Sequence, residues 1–355
     1  MKKRRVLGLL FGSLIALWTL NLVASLLIDL RAVQRQWLPT ARAKSRSESL
    51  EDQELARAVY REFDQLQTRY EPTVAWSRMP FAGEHITVND AGDRVHRPTT
   101  ESPTRYVRFF GGSTMWGSGV DDENTIPACF NALHPDWAVF NHGESGFVSR
   151  QALARLINLV TQGEPMDLVI FYDGCNDLYT LCRADVSLTG NREQAKIARK
   201  LEKHSATADA LFGATLEVAR AIGHELELDE PETLCQKDPE HARRVAQTLV
   251  NNWRIAHRVA ELGGARMHAF LQPIATLGTP NVEYLPDPRQ GRRAECYLAV
   301  YPLVQEIIRR EPGGWMHDLT DAFDVDEYVY IDACHANGRG NRIVAARMDA
   351  LVGSL

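Results

Sequence analysis

Five short apolar runs, at 105–110, 137–140, 167–172, 267–271 and 328–331, are each followed by a polar or glycine-bearing loop and then by a segment with helical spacing. Runs of this length, rich in Val, Ile, Phe and Tyr, read as strands. Strands that alternate with helices can pair in parallel, because the helix supplies the crossover between them. The chain is therefore predicted to build an α/β body around a parallel sheet. Its crossover helices are expected at 124–133, 149–162, 241–262, 294–310 and 341–351. No internal repeat is evident.

Residues 6–28 carry no charge. At about 1.5 Å per residue, a helix of that length matches the roughly 30 Å hydrocarbon layer of a bilayer. Lys2, Lys3, Arg4 and Arg5 precede it, which predicts a signal anchor with its tip in the cytoplasm and the body outside, at the inner (cell) membrane with a periplasmic or extracytoplasmic catalytic domain. A cleaved signal peptide is the competing reading. The stretch is long for one, and Leu22-Val23-Ala24 is a poor cleavage site. Residues 1–50 hold nine Lys/Arg against two Asp/Glu, and the other 305 hold 31 against 44. The basic flank suits lipid headgroups, whereas the acidic body would repel a phosphate backbone, so nucleic acid is excluded as a partner. Six cysteines would meet oxidising conditions there; with no CxxC pair among them, their connectivity stays open.

The expected organisation is an anchor at 1–30, a stalk helix and irregular turn-rich collar at 31–103, and the body at 104–355. A polar, helix-prone stretch at about 183–240 exceeds what a minimal core requires. It reads as an insertion, either a lid over the site or a surface decoration.

Four patches then carry chemistry. Ser113, in Gly111-Gly112-Ser113-Thr114, follows the first strand at a place where the backbone can turn sharply and present a hydroxyl. Asn141-His142-Gly143 offers the Gly143 N–H, and Gly174-Cys175-Asn176-Asp177 offers the Asn176 amide. With the Ser113 N–H these make three donors for an oxyanion. In Asp332-Ala333-Cys334-His335 a single turn can hold the Asp332 carboxylate against His335, giving a base and its orienter. Each patch has an ordinary alternative as turn or cap; the set points to acyl transfer. Ser118 and Ser145 are rival serines but do not complete a Gly-x-Ser-x-Gly elbow. His142 is expected to be a loop histidine, Asp177 loop structure or support for the site, and Asp238-Pro239-Glu240-His241 a capped helix start. No zinc-ligand pattern, Walker loop or dinucleotide fingerprint occurs, so no metal and no cofactor is expected.

Together GGST, NHG, GCND and DACH resemble the four blocks of the SGNH (GDSL-like) hydrolase superfamily, over roughly 104–355. The resemblance implies a flavodoxin-like three-layer α/β/α fold. It also implies ester hydrolysis by Ser113, His335 and Asp332, with Ser113, Gly143 and Asn176 forming the oxyanion hole. The first block departs from the literal GDSL string, as in a GGST-type branch. Membrane-anchored relatives of this appearance are associated with acylated polysaccharides, so the expected substrate is an O-acetyl carbohydrate or another small ester. An O-acyltransferase, and a non-catalytic glycan-binding component, remain alternatives.

Overall fold

The computed structural model describes residues 12, 13, 15–27, 53–97, 102–201, 215 and 231–353. Of the predicted anchor, residues 12, 13 and 15–27 are helical, and most of their apolar side chains, Trp18 and Leu26 among them, face outward. Among the described residues, no helix is long and apolar enough to cross a membrane. The remainder of the 6–28 stretch, the start of the predicted stalk and, within the 183–240 insertion, residues 202–214 and 216–230 lie outside the described residues.

In chain order, α1 (Gln53–Phe63) leads into two hairpins, β1 (Thr68–Glu71) with β2 (Ala75–Arg78) and β3 (Phe81–Ala82) with β4 (Thr87–Val88). The body follows as β5 (Arg105–Gly111), α2 (Ser113–Trp116), α3 (Ile126–Leu133), β6 (Trp137–Asn141), α4 (Ser149–Thr161) and β7 (Leu168–Asp173). It continues through α5 (Cys175–Thr180), α6 (Gln194–Leu201), α7 (Pro239–Leu262), β8 (Arg266–Leu271), α8 (Arg292–Arg310), β9 (Met316–Asp318) and α9 (Gly338–Val352). Local chemistry starts the helices where it should. Thr125 caps α3 through Ala128 N, and Asp238 caps α7 ahead of Pro239.

The central sheet runs β6-β5-β7-β8-β9 with every pair parallel. Counted along the chain this is strand order 2-1-3-4-5, the flavodoxin-like order. Alternation along the strands divides the core. Phe110, Val169, Phe171, Met267 and Leu271 join α4, α7 and α8 on one face, while Val107, Phe109, Ile170 and Phe270 join α3 and α9 on the other. The result is three layers. The order reverses between β5 and β7, which opens a crevice at their carboxyl ends.

Two features differ from expectation. The last strand is Met316–Asp318, and 328–331 is irregular. Val329, Tyr330 and Ile331 are apolar because they bury under the sheet's second face and α1, not because they extend the ladder. The segment before residue 104 also packs directly on the body. Val59, Ile86 and Val88 bury against Trp116 of α2, and Arg94 bridges to Asn141 at the end of β6. At the base of the insertion, a Cys182–Cys235 disulfide and an Arg183–Thr233 bridge hold its two ends together.

Candidate active site

Ser113 opens α2 directly beyond β5, with Gly112 as its cap. At Gly112 a Cβ would run into the Asn176 amide, so glycine lets the start of α5 close on the nucleophile's backbone. His335 reaches the same point from the far end of the chain, its Nε2 2.7 Å from Ser113 Oγ. Asp332 sits on the other ring nitrogen, with its two oxygens 2.8 and 2.9 Å from Nδ1. The carboxylate also accepts the backbone N–H groups of Cys334 (3.1 Å) and His335 (2.9 Å), so one local turn holds base and orienter together. That turn is pinned by Ala275 N–H donating to Ala333 O (2.9 Å) beyond β8. With Nδ1–H turned to Asp332, Nε2 is free to accept the serine proton.

The oxyanion donors need one correction. Gly143 does not face the cleft: its N–H donates to Asn141 Oδ1 at 3.0 Å, and a Cβ there would strike Trp116 N. Three residues on, Gly146 lines the cleft beside Ser113, Ser145 and Asn176, and among the described residues its N–H has no protein acceptor. Its φ of +81° is one that a side chain resists, and the space a Cβ would need is filled by the Arg192 guanidinium. Asn176 donates one amide hydrogen to Phe147 O (2.9 Å) and keeps the second. Ser113, Gly146 and Asn176 thus line one cleft, whereas Gly143 does not.

The decoys separate cleanly. His142 is buried with Nδ1 2.8 Å from Asp93 and Nε2 3.1 Å from Arg108. Because Arg108 can only donate, Nε2 accepts from it and Nδ1 carries the proton, donating to the Asp93 carboxylate, and burial pushes the imidazole's pKa down. It is a His–Asp pair without a nucleophile. Asp238 caps α7, and His241 bonds Leu181 O at 2.8 Å. Ser118 and Ser145 lie 3.5 Å apart in the cleft, bonded to each other. Asp177 receives Ser149 N–H (2.9 Å) and Oγ–H (2.5 Å), which ties α5 to the start of α4, and burial raises its carboxyl pKa to about 6.

Residues without a motif complete the site. Glu144 is fully buried and paired with Arg78 of β2 at 3.0 Å; it also takes the Ser145 N–H at 2.7 Å, holding the Gly146 loop in place. Phe63 of α1 forms part of the wall. Behind the triad Cys175 Sγ lies 3.3 Å from Tyr297 Oη, and Cys334 Sγ lies 3.7 Å from His335 Nδ1. Asp332, Cys334 and His335 also present ligand atoms within 4.8 Å of one another, but the carboxylate and Nδ1 are already committed to each other. The cavity over Ser113 measures about 370 Å3.

No protein-family model matches the chain, and no curated protein matches it in sequence. Among solved structures it is similar to a lipolytic G-D-S-L family member from Veillonella parvula, at 14% identity and TM-score 0.40, over 70% of this chain and 99% of that one. It is also similar to a carbohydrate acetylesterase family member from Sinorhizobium meliloti, at 17% identity and TM-score 0.35, over 70% and 97%. A third is the acetylxylan esterase Axe2 from Geobacillus stearothermophilus, at 15% and 0.36, over 72% and 96%. Overlays of that extent carry no argument about activity. What the fold and site themselves display is a parallel 2-1-3-4-5 sheet with a hydrogen-bonded Ser-His-Asp set at its reversal point, and in this the chain resembles the SGNH hydrolases.

Proposed function

We propose that the chain is a serine esterase acting on carboxylic esters, with O-acetyl groups on a carbohydrate as its substrate class. The observation that carries the reading is the 2.7 Å contact between Ser113 Oγ and a His335 already oriented by Asp332. In the first step Ser113 Oγ attacks the ester carbonyl carbon as its proton passes to His335 Nε2. The negative charge develops on the carbonyl oxygen beside the Ser113 and Gly146 N–H groups and the Asn176 amide. Collapse breaks the bond to the alcohol, which leaves with the proton from His335; water, deprotonated by the same imidazole, then releases the acid and restores Ser113. Asp332 stays ionised throughout and stabilises the imidazolium.

A second cavity of about 540 Å3 adjoins the first and shares Arg293 and Tyr297 with it, so there is room for an alcohol much larger than the acyl group. That supports a sugar on the leaving side. The carbohydrate itself and the membrane anchor at 6–28 rest on the sequence resemblance and on the N-terminal charge pattern. The Cys182–Cys235 disulfide suits a body in an oxidising compartment.

The test uses the full chain in detergent with 4-nitrophenyl acetate. Ser113→Ala is expected to lose at least about 10³-fold in kcat, and a fluorophosphonate should label Ser113 alone. Undiminished turnover in the variant, or a label on Ser118 or Ser145, would overturn the assignment. Acetate release measured against acetyl transfer to an added glycan separates the esterase from an acyltransferase using the same residues.

A further inference from the structure

We infer that the ester this site takes carries an oxyanion on its alcohol part, a uronate-type carboxylate being the leading source. The inference deepens the esterase reading and rests on it. Four arginines, Arg78, Arg183, Arg192 and Arg293, line the cavity over Ser113, and among its described lining residues there is no carboxylate. This runs against the rest of the body, whose residues beyond position 50 are strongly acidic. A cleft of one sign inside a protein of the other concentrates ligands of opposite charge.

The four differ in what they have left to offer. Arg78 is committed to the buried Glu144 (3.0 Å). Arg183 makes a fork with Asp185 (2.9 and 2.7 Å) just outside the cavity. Among the described residues Arg192 is ion-paired with its chain neighbour Glu193 alone, at 3.6 Å, with the buried Glu144 charge further off, and it lies against Trp76 and over Gly146. Arg293, exposed at the first turn of α8, has no carboxylate partner among the described residues, and its guanidinium rests on the Tyr179 ring 4.7 Å from the centroid. It stands where the catalytic cavity meets the second one. The carboxylates of that second cavity are satisfied locally: Asp287 by Arg289 N–H (3.0 Å) and Gln290 (2.8 Å), Asp332 by His335. A planar guanidinium held against Tyr179, with no carboxylate to neutralise it among the described residues, is suited to receive a carboxylate or phosphate in two parallel bonds. An acyl group at Ser113 and an anion at Arg293 place the charge on the alcohol side of the ester, in the direction of the larger cavity.

The experiment compares kcat/KM of the full chain for acetylated trigalacturonate, acetylated maltotriose and acetylated glucose 6-phosphate. The charged substrates are expected to exceed the neutral one by about ten-fold or more at low salt, with the advantage shrinking at about 0.5 M NaCl. Arg293→Gln, and separately Arg192→Gln, should reduce the charged-to-neutral ratio by about five-fold or more; because the ratio is taken within each protein, a variant that folds poorly still reports. A phosphate preference above that for the uronate keeps the oxyanion and reassigns its source. Equal rates on charged and neutral esters, or a ratio unmoved in both variants, overturn the inference while leaving the esterase standing. If no ester is cleaved the esterase reading fails, and calorimetry with unacetylated trigalacturonate decides the rest: binding lost in Arg293→Gln sustains the anion site, and no binding ends it.

Discussion

Asn176 does two things with one amide. It bonds Phe147 O on the neighbouring loop, and it leaves a second hydrogen at the place where negative charge would form. Asn176→Ala is accordingly expected to cut kcat on 4-nitrophenyl acetate by about 10²- to 10³-fold with little change in KM. A KM effect alone would mean that the amide only shapes the loop. The glycines after β6 are a harder case for reading from sequence. Gly143 and Gly146 sit three positions apart in one short run, and either offers an unobstructed N–H. The Asn141 side chain captures the first, while the second lines the cavity with Ser113, and both facts depend on neighbours that a linear pattern does not reveal. By contrast, Asp332 and His335 are three residues apart, so their contact is local and was legible from spacing.

At the level of elements, β2 and α1 matter more to the site than their irregular sequence suggested. Arg78 stacks on Trp116 and Phe63 while holding Glu144, so the turn carrying Ser145 and Gly146 is anchored from outside the sheet. Removing it leaves a buried carboxylate whose pKa burial already pushes up, with its principal counter-charge gone. Arg78→Met should therefore cost about 3–5 kcal/mol in chemical denaturation, as for other broken buried pairs. It should also lower esterase turnover, and Arg78→Met combined with Glu144→Leu should recover much of the stability. A single variant as stable as the parent would show that the pair contributes nothing. This segment carries no recurring motif, because its role is packing against two distant turns, and packing of that kind is set by shape.

Across the whole molecule, buried and half-buried histidines shape the response to acid. His268 of β8 bonds His317 of β9 through Nδ1 and Nε2 at 2.9 Å, and burial, aided by His317, Arg266 and His257, lowers its pKa to about 4. A base whose folded pKa is depressed adds stability above its unfolded value near 6.5 and loses it as the pH falls toward and through 4. His96, His142 and His317 are lowered in the same direction by burial. Tm should therefore drop between pH 6.5 and 4, and His268→Gln should flatten that slope; an unchanged slope would remove the pair from the account. The sequence by itself determined the alternation of strand and helix, the parallel sheet, and the pairing of Asp332 with His335, because periodicity and short spacing act within a few residues. Only the tertiary structure decided that Met316–Asp318, not 328–331, closes the sheet, that Gly146 rather than Gly143 lines the cleft with the nucleophile, and that four arginines surround it. Those outcomes depend on which distant side chains compete for the same hydrogen bond or the same buried space, and that competition is settled only when the layers pack.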